Sequence, residues 1–109
     1  MFDFFKKIAQ ELKLEVPFEL RICNTTKKGT EAEYSARYNK KGELSRHIIT
    51  LYIKNNARSC DTLIVHELIH AAQEERGIEE IHGPFFKRMA KKLEKRHGLP
   101  EIYIKGVDV

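Results

Sequence analysis

Residues 62–86 read TLIVHELIHAAQEERGIEEIHGPFF, and the first half of that stretch constrains the fold more than any other feature. Placed on a helix, Leu63, Ile64, Val65, Leu68, Ile69, Ala71 and Ala72 leave only a narrow stripe for His66, His70, Glu67, Gln73 and Glu74. A helix that is apolar almost all round must be buried. The rest of the chain therefore has to supply elements that cover it on several sides. Ser59 is a natural N-cap, the helix runs to Arg76, and Gly77 suits the left-handed residue that closes it.

The flanking segments can provide that cover. Residues 2–14 place Phe2, Phe5, Ile8, Ala9 and Leu12 at helical spacing, and Val16-Pro17 ends the helix. Residues 18–24, 31–38 and 44–53 alternate or are rich in β-branched and aromatic residues, which predicts three strands. TTKKGT and NKKGE separate them as turns, and turns this short predict antiparallel neighbours. Gly83-Pro84 opens a third helix that Gly98 closes, and the tail from Leu99 adds a short strand or lies across a groove. The expectation is one α+β domain over residues 1–109, with a three-stranded antiparallel sheet, and a monomer.

Bulk properties exclude several classes. No apolar run approaches the length of a membrane span, and MFDFFKKIAQEL has no uninterrupted apolar core like that of a signal peptide, so the expectation is a cytoplasmic protein with no membrane partner. The two cysteines, Cys23 and Cys60, form no CxxC pair; this excludes a zinc ribbon, and they read as free, buried thiols. The net charge is +4, yet residues 84–97 hold six Lys/Arg and one Glu, so the other 95 residues sum to −1. On this helix Phe85, Phe86, Met89, Ala90 and Leu93 share one face, and Lys87, Arg88, Lys91, Lys92, Lys95 and Arg96 share the other. Such a face is either a solvated surface or a sequence-independent contact for DNA or RNA phosphates.

Two histidines at i and i+4 lie one turn apart on one helix face, so their ring nitrogens can converge on a single cation. Glu67 lies beside that axis, placed to hold water and not the metal, which is the mechanical sense of H-E-x-x-H. Zinc sites that do chemistry take three protein ligands. His82 is the leading third one: the helix carries the chain about 9 Å past His70, and residues 77–82 can span roughly 20 Å on the way back. Glu74, Glu79, Glu80, His47 and His97 are alternatives.

His66-Glu67-Leu68-Ile69-His70, a short spacer, then His82-Gly83-Pro84-Phe85-Phe86 resembles the SprT/Spartan family of zinc metalloproteases, whose pattern is HExxH followed by HGxxF. The likeness spans roughly residues 15–93, and the HGPFF element is its specific part. The resemblance implies a minimal zincin-like domain that binds one Zn2+ through His66, His70 and His82 and uses Glu67 as catalytic base. It also implies a protein or peptide substrate and, by analogy with the Spartan branch, proteins crosslinked to DNA. This chain shows neither the cysteine zinc ribbon of the bacterial type nor the long recruitment tails of the eukaryotic type, which suits a phage or bacterial protein. Tyr34, Tyr38, Tyr52, Tyr103, His47, Arg88 and His97 are all candidates for a second oxyanion donor. The competing readings are a zincin of another kind and a small nucleic-acid-binding or adaptor protein whose zinc is structural. The HGPFF element argues against the first and an intact Glu67 against the second.

Overall fold

The computed structural model describes residues 2–24, 29–55 and 58–104. Among these, the element order is α1 (Phe2–Glu11), β1 (Phe18–Cys23), β2 (Ala32–Tyr38), β3 (Leu44–Tyr52), a 3-10 turn (Ile53–Asn55), α2 (Cys60–Arg76) and α3 (Pro84–His97). The fold is α+β, as expected. Most of the TTKKGT turn and the last five residues of the tail lie outside the described residues.

The sheet corrects one expectation. Its order is β1-β3-β2, and it is mixed, not antiparallel. β2 and β3 form the expected antiparallel hairpin, with Ala32 opposite Leu51 and a bulge at Arg37/Tyr38. Its turn is tied by Asn39, whose side-chain oxygen accepts the Lys41 and Glu43 N–H groups at 2.9 and 3.0 Å. β1, however, runs parallel to β3, from Phe18 opposite His47 to Cys23 opposite Tyr52. The physical reason is the apolar character of β3. His47, Ile48, Ile49, Leu51 and Tyr52 are buried, and such a strand is best covered from both edges. The chain after β1 therefore steps past β3 to the far side instead of turning back beside its own start.

α2 packs against β2, β3, α1 and α3. Its Leu63, Ile64, Val65, Leu68, Ile69 and Ala72 join Phe5, Ile8 and Leu12 of α1, Ile49 and Leu51 of β3, Phe86, Ala90 and Leu93 of α3, and Ile102 of the tail in one core. Ser59 caps the helix by accepting the Thr62 N–H, and Gly77 closes it at φ +67°. α1 stops three residues earlier than its pattern suggests. Lys13 turns left-handed at φ +58°, and the Leu14 N–H bonds back to the Ala9 carbonyl at 3.0 Å. A second correction concerns the thiols: Cys23 is half-buried and Cys60 exposed, because one ends an outer strand and the other begins a helix at the surface. No helix among the described residues is long and apolar enough to cross a membrane.

Candidate metal centre

The structure brings His66, His70 and His82 together, with one nitrogen from each within 4.8 Å of the others. The first two project from successive turns of α2. The third sits just ahead of α3, whose start is set by Gly83 and Pro84. Gly83 is required there by space, since a Cβ at that position would lie 2.8 Å from the Glu80 Cβ.

The orientation of the rings tests whether a metal fits. His66 Nδ1 donates to the Ile102 carbonyl at 2.6 Å, and His70 Nδ1 donates to Gln73 Oε1 at 2.8 Å. Both acceptors lack a proton, so each ring carries its hydrogen on Nδ1 and presents a lone pair on Nε2. Those two lone pairs face one another, with His70 Nε2 3.2 Å from His66 Nε2, and His82 Nε2 lies 3.3 Å from the same His66 atom. A tetrahedron with metal–nitrogen bonds of 2.0–2.1 Å has edges of roughly 3.3–3.4 Å. Lone pairs aimed at each other at that separation repel unless a cation lies between them. The donor set therefore fits a metal ion.

Phe86 lies behind the cluster. Its ring centroid is 4.7 Å from each of the three imidazoles, and the residue is fully buried. Tyr103 closes the same side, 5.7 Å from the His82 ring. Glu67 is almost buried, and its carboxylate stands 3.9 Å from His66 Nε2, beside the cluster and outside it.

These residues open onto a cleft of about 780 Å³ lined by His66, Glu67, His70, Gln73 and Glu74 of α2, by His82, and by residues 29–34 on and before β2. Of the seven oxyanion candidates, Tyr34 alone is among the residues that line it. The Tyr34 hydroxyl lies 2.7 Å from His47 Nδ1, and His47 Nε2 lies 2.6 Å from Glu75. The carboxylate accepts, so Nε2 donates and the phenol donates to Nδ1. Burial, then the neighbouring Glu74 carboxylate, pushes the Tyr34 phenol well above the usual tyrosine range.

The remaining candidates are engaged elsewhere. His47 is fully buried behind Tyr34. Tyr38 donates to Glu74, Tyr52 to Glu33, and His97 bonds Glu11 at 2.8 Å. Arg88 lies over the Phe85 ring. Glu74, Glu79 and Glu80 are exposed and lie outside the histidine cluster. Lys87, Arg88, Lys91, Lys92, Lys95 and Arg96 are all exposed along α3; Arg96 pairs with Glu11 at 3.2 Å, and Lys87 lies over Tyr103.

Sequence reasoning missed two supports of the centre, Gln73 and the Ile102 carbonyl, and the Tyr34–His47–Glu75 chain on the cleft wall. One signal was available. Glu94 is the single acid in the basic run, and it accepts the Ile102 and Tyr103 N–H groups at 2.9 and 3.4 Å. It thereby fixes the tail whose carbonyl orients His66.

Comparison with curated proteins and with solved structures returned no significant match. A family model does match, over residues 2–105, so it takes in α1 and the tail as well as the residues that carry the motif. The chain belongs to the SprT-like family.

Proposed function

We propose that the protein is a zinc-dependent endopeptidase of SprT-like type. The observation that carries this reading is the convergence of the Nε2 atoms of His66, His70 and His82 at metal-binding separation, with Glu67 beside them in the lining of a cleft. Zinc held by His66, His70 and His82 would supply a Lewis acid that lowers the pKa of water toward neutrality and polarises the scissile carbonyl. Glu67 takes the proton of the attacking water and delivers it to the leaving amine. Its near-burial keeps the carboxylate away from bulk water, where a base would be solvated and less directed. Tyr34 is the candidate donor to the developing oxyanion, because, of the seven candidates, it is the one that lines the cleft; its single O–H would have to turn from His47 Nδ1 to do so.

The substrate reading follows from the sheet. β2 is an outer strand, and residues 29–34 form the cleft wall opposite α2. An extended peptide adding along that edge would run past Glu67 and the histidines. A structural zinc site does not account for a carboxylate held beside the ligands in an open cleft. The experiment is cleavage of an unfolded protein substrate by the purified chain. The expected result is loss of cleavage with a chelator and recovery on adding one equivalent of zinc. Cleavage that persists after complete metal removal would end the proposal.

The basic face of α3 supports a second element of the same reading, sequence-independent contact with DNA in the cytoplasm of its cell. Its six exposed cations begin within one turn of the Gly83 that follows His82. Binding through them should weaken steeply with salt. Absence of any gel shift at low salt, on single- or double-stranded DNA, would remove DNA from the account while leaving the peptidase intact.

A further inference from the structure

The HExxH pattern and its third histidine say nothing about Gln73, three residues past His70. Gln73 is 4% exposed, and its side chain makes three hydrogen bonds. Oε1 accepts from His70 Nδ1 at 2.8 Å, and Nε2 donates to the carbonyls of Glu80 and Ile81, both at 2.9 Å. Carbonyls only accept, so the amide cannot be flipped: its NH2 faces residues 80–81 and its oxygen faces the imidazole. That orientation puts the His70 proton on Nδ1 and the lone pair on Nε2, 3.2 Å from His66 Nε2. The backbone carbonyl of Gln73 also accepts the Ile78 N–H at 3.0 Å, where the helix ends.

One side chain therefore aims the second histidine and anchors the two residues immediately before the third. Those two residues have little else to hold them. Glu79, Glu80 and Ile81 are exposed, and Ile81 is 60% so. We infer that Gln73 is a positioning residue that couples His70 to His82. It secures the segment bearing His82 with the same amide that holds His70 in its metal-binding tautomer. The inference rests on the metal reading of the three histidines, and it extends that reading to a residue that touches no metal.

The test uses the full chain and the variants Gln73→Met, Gln73→Glu, His82→Ala and the Gln73→Met/His82→Ala double. Methionine keeps the length and helix propensity while removing all three hydrogen bonds. Zinc affinity is measured by competition with a chromogenic chelator. Gln73→Met should weaken zinc about 10–100-fold, the usual effect of removing a partner of a ligating histidine. In the His82→Ala background the same change should cost much less, because one of the two things it secures is already gone. Gln73→Glu keeps an acceptor for His70 but sets a carboxylate against two carbonyls. It should weaken zinc although it adds negative charge.

A readout without metal accompanies these. Two-bond proton–nitrogen NMR should find His70 protonated on Nδ1 in the metal-free wild type and shifted toward Nε2 in Gln73→Met. Wild-type zinc affinity in Gln73→Met, strictly additive losses in the cycle, or an unchanged His70 tautomer would each overturn the inference. If the wild type binds no zinc, the metal reading fails, and the tautomer comparison still decides whether Gln73 orients His70.

Discussion

Truncating Phe86 to alanine should be among the most damaging single changes in the protein, and truncating its neighbour Phe85 should not. Phe86 is fully buried and meets all three imidazoles at 4.7 Å, with Tyr103 at 6.1 Å. Removing a buried phenylalanine costs roughly 3–5 kcal/mol, because lost transfer energy and the residual cavity add. A small domain has about 5–15 kcal/mol in total. For a chain of this size each kcal/mol moves the melting temperature by about 4 °C, so the variant should melt about 12–20 °C lower. Phe85 is half-buried between the Arg76 and Arg88 guanidinium groups, 5.2 and 5.7 Å from its ring, and alanine there should cost about 1 kcal/mol. Melts followed by circular dichroism, with and without excess zinc, give both numbers. Zinc should raise the wild-type midpoint, because a ligand that binds only the folded state adds stability. It should raise that of Phe86→Ala less, since the surface behind the imidazoles is gone. A shift under about 4 °C for Phe86→Ala, or equal shifts for the two phenylalanines, would refute the claim that Phe86 is the packed floor of the centre.

Two further predictions concern the chain behind the cleft. Burial pushes the Glu75 carboxyl up, but the Glu15 N–H, the His47 ring and the Val16 N–H together outweigh it and hold the group below the usual carboxylate range. A depressed pKa contributes stability that is present above the unfolded value, about 4.3, and is lost as pH falls through the lower folded value. Glu75→Gln should therefore flatten the acid limb of the stability curve below about pH 4; an unchanged acid limb in an equilibrium urea titration would count against it. Tyr34→Phe leaves the buried His47 Nδ1 without its phenol, and should cost roughly 1–3 kcal/mol of stability. If the phenol turns its proton from His47 to the oxyanion during the reaction, kcat should drop about 100-fold or more in protein that is fully folded. A stability loss with unchanged kcat would confine Tyr34 to holding His47.

Much of this architecture could be read directly from the residues. α2 announces itself through Ser59, Gly77 and its apolar circumference; α3 does so through Gly83-Pro84; and the β2–β3 hairpin does so through alternation and the NKKGE turn. Convergence of the three histidines was equally accessible, since i, i+4 spacing and chain reach are local arguments. The placement of β1 was not. TTKKGT looks like a hairpin turn whether the chain folds back or steps past β3, and that choice belongs to the burial of β3. Ile22 shows the same limit: it alternates like a core residue but is 62% exposed near the end of an outer strand. The supports of the centre were hidden for another reason. The partners of His66 and Gln73 include backbone carbonyls of Ile102, Glu80 and Ile81, and a carbonyl carries no trace of residue type.

The central claim is that three histidines hold zinc while Glu67 handles the proton. It is tested most directly by zinc content and peptide-bond cleavage measured side by side on wild type and Glu67→Gln. Glutamine preserves the size of the side chain 3.9 Å from His66 Nε2 but cannot accept a proton. The account predicts one zinc per chain in both proteins, and cleavage in the wild type alone. Undiminished cleavage by Glu67→Gln, or a wild type that purifies and titrates without stoichiometric zinc, would contradict it.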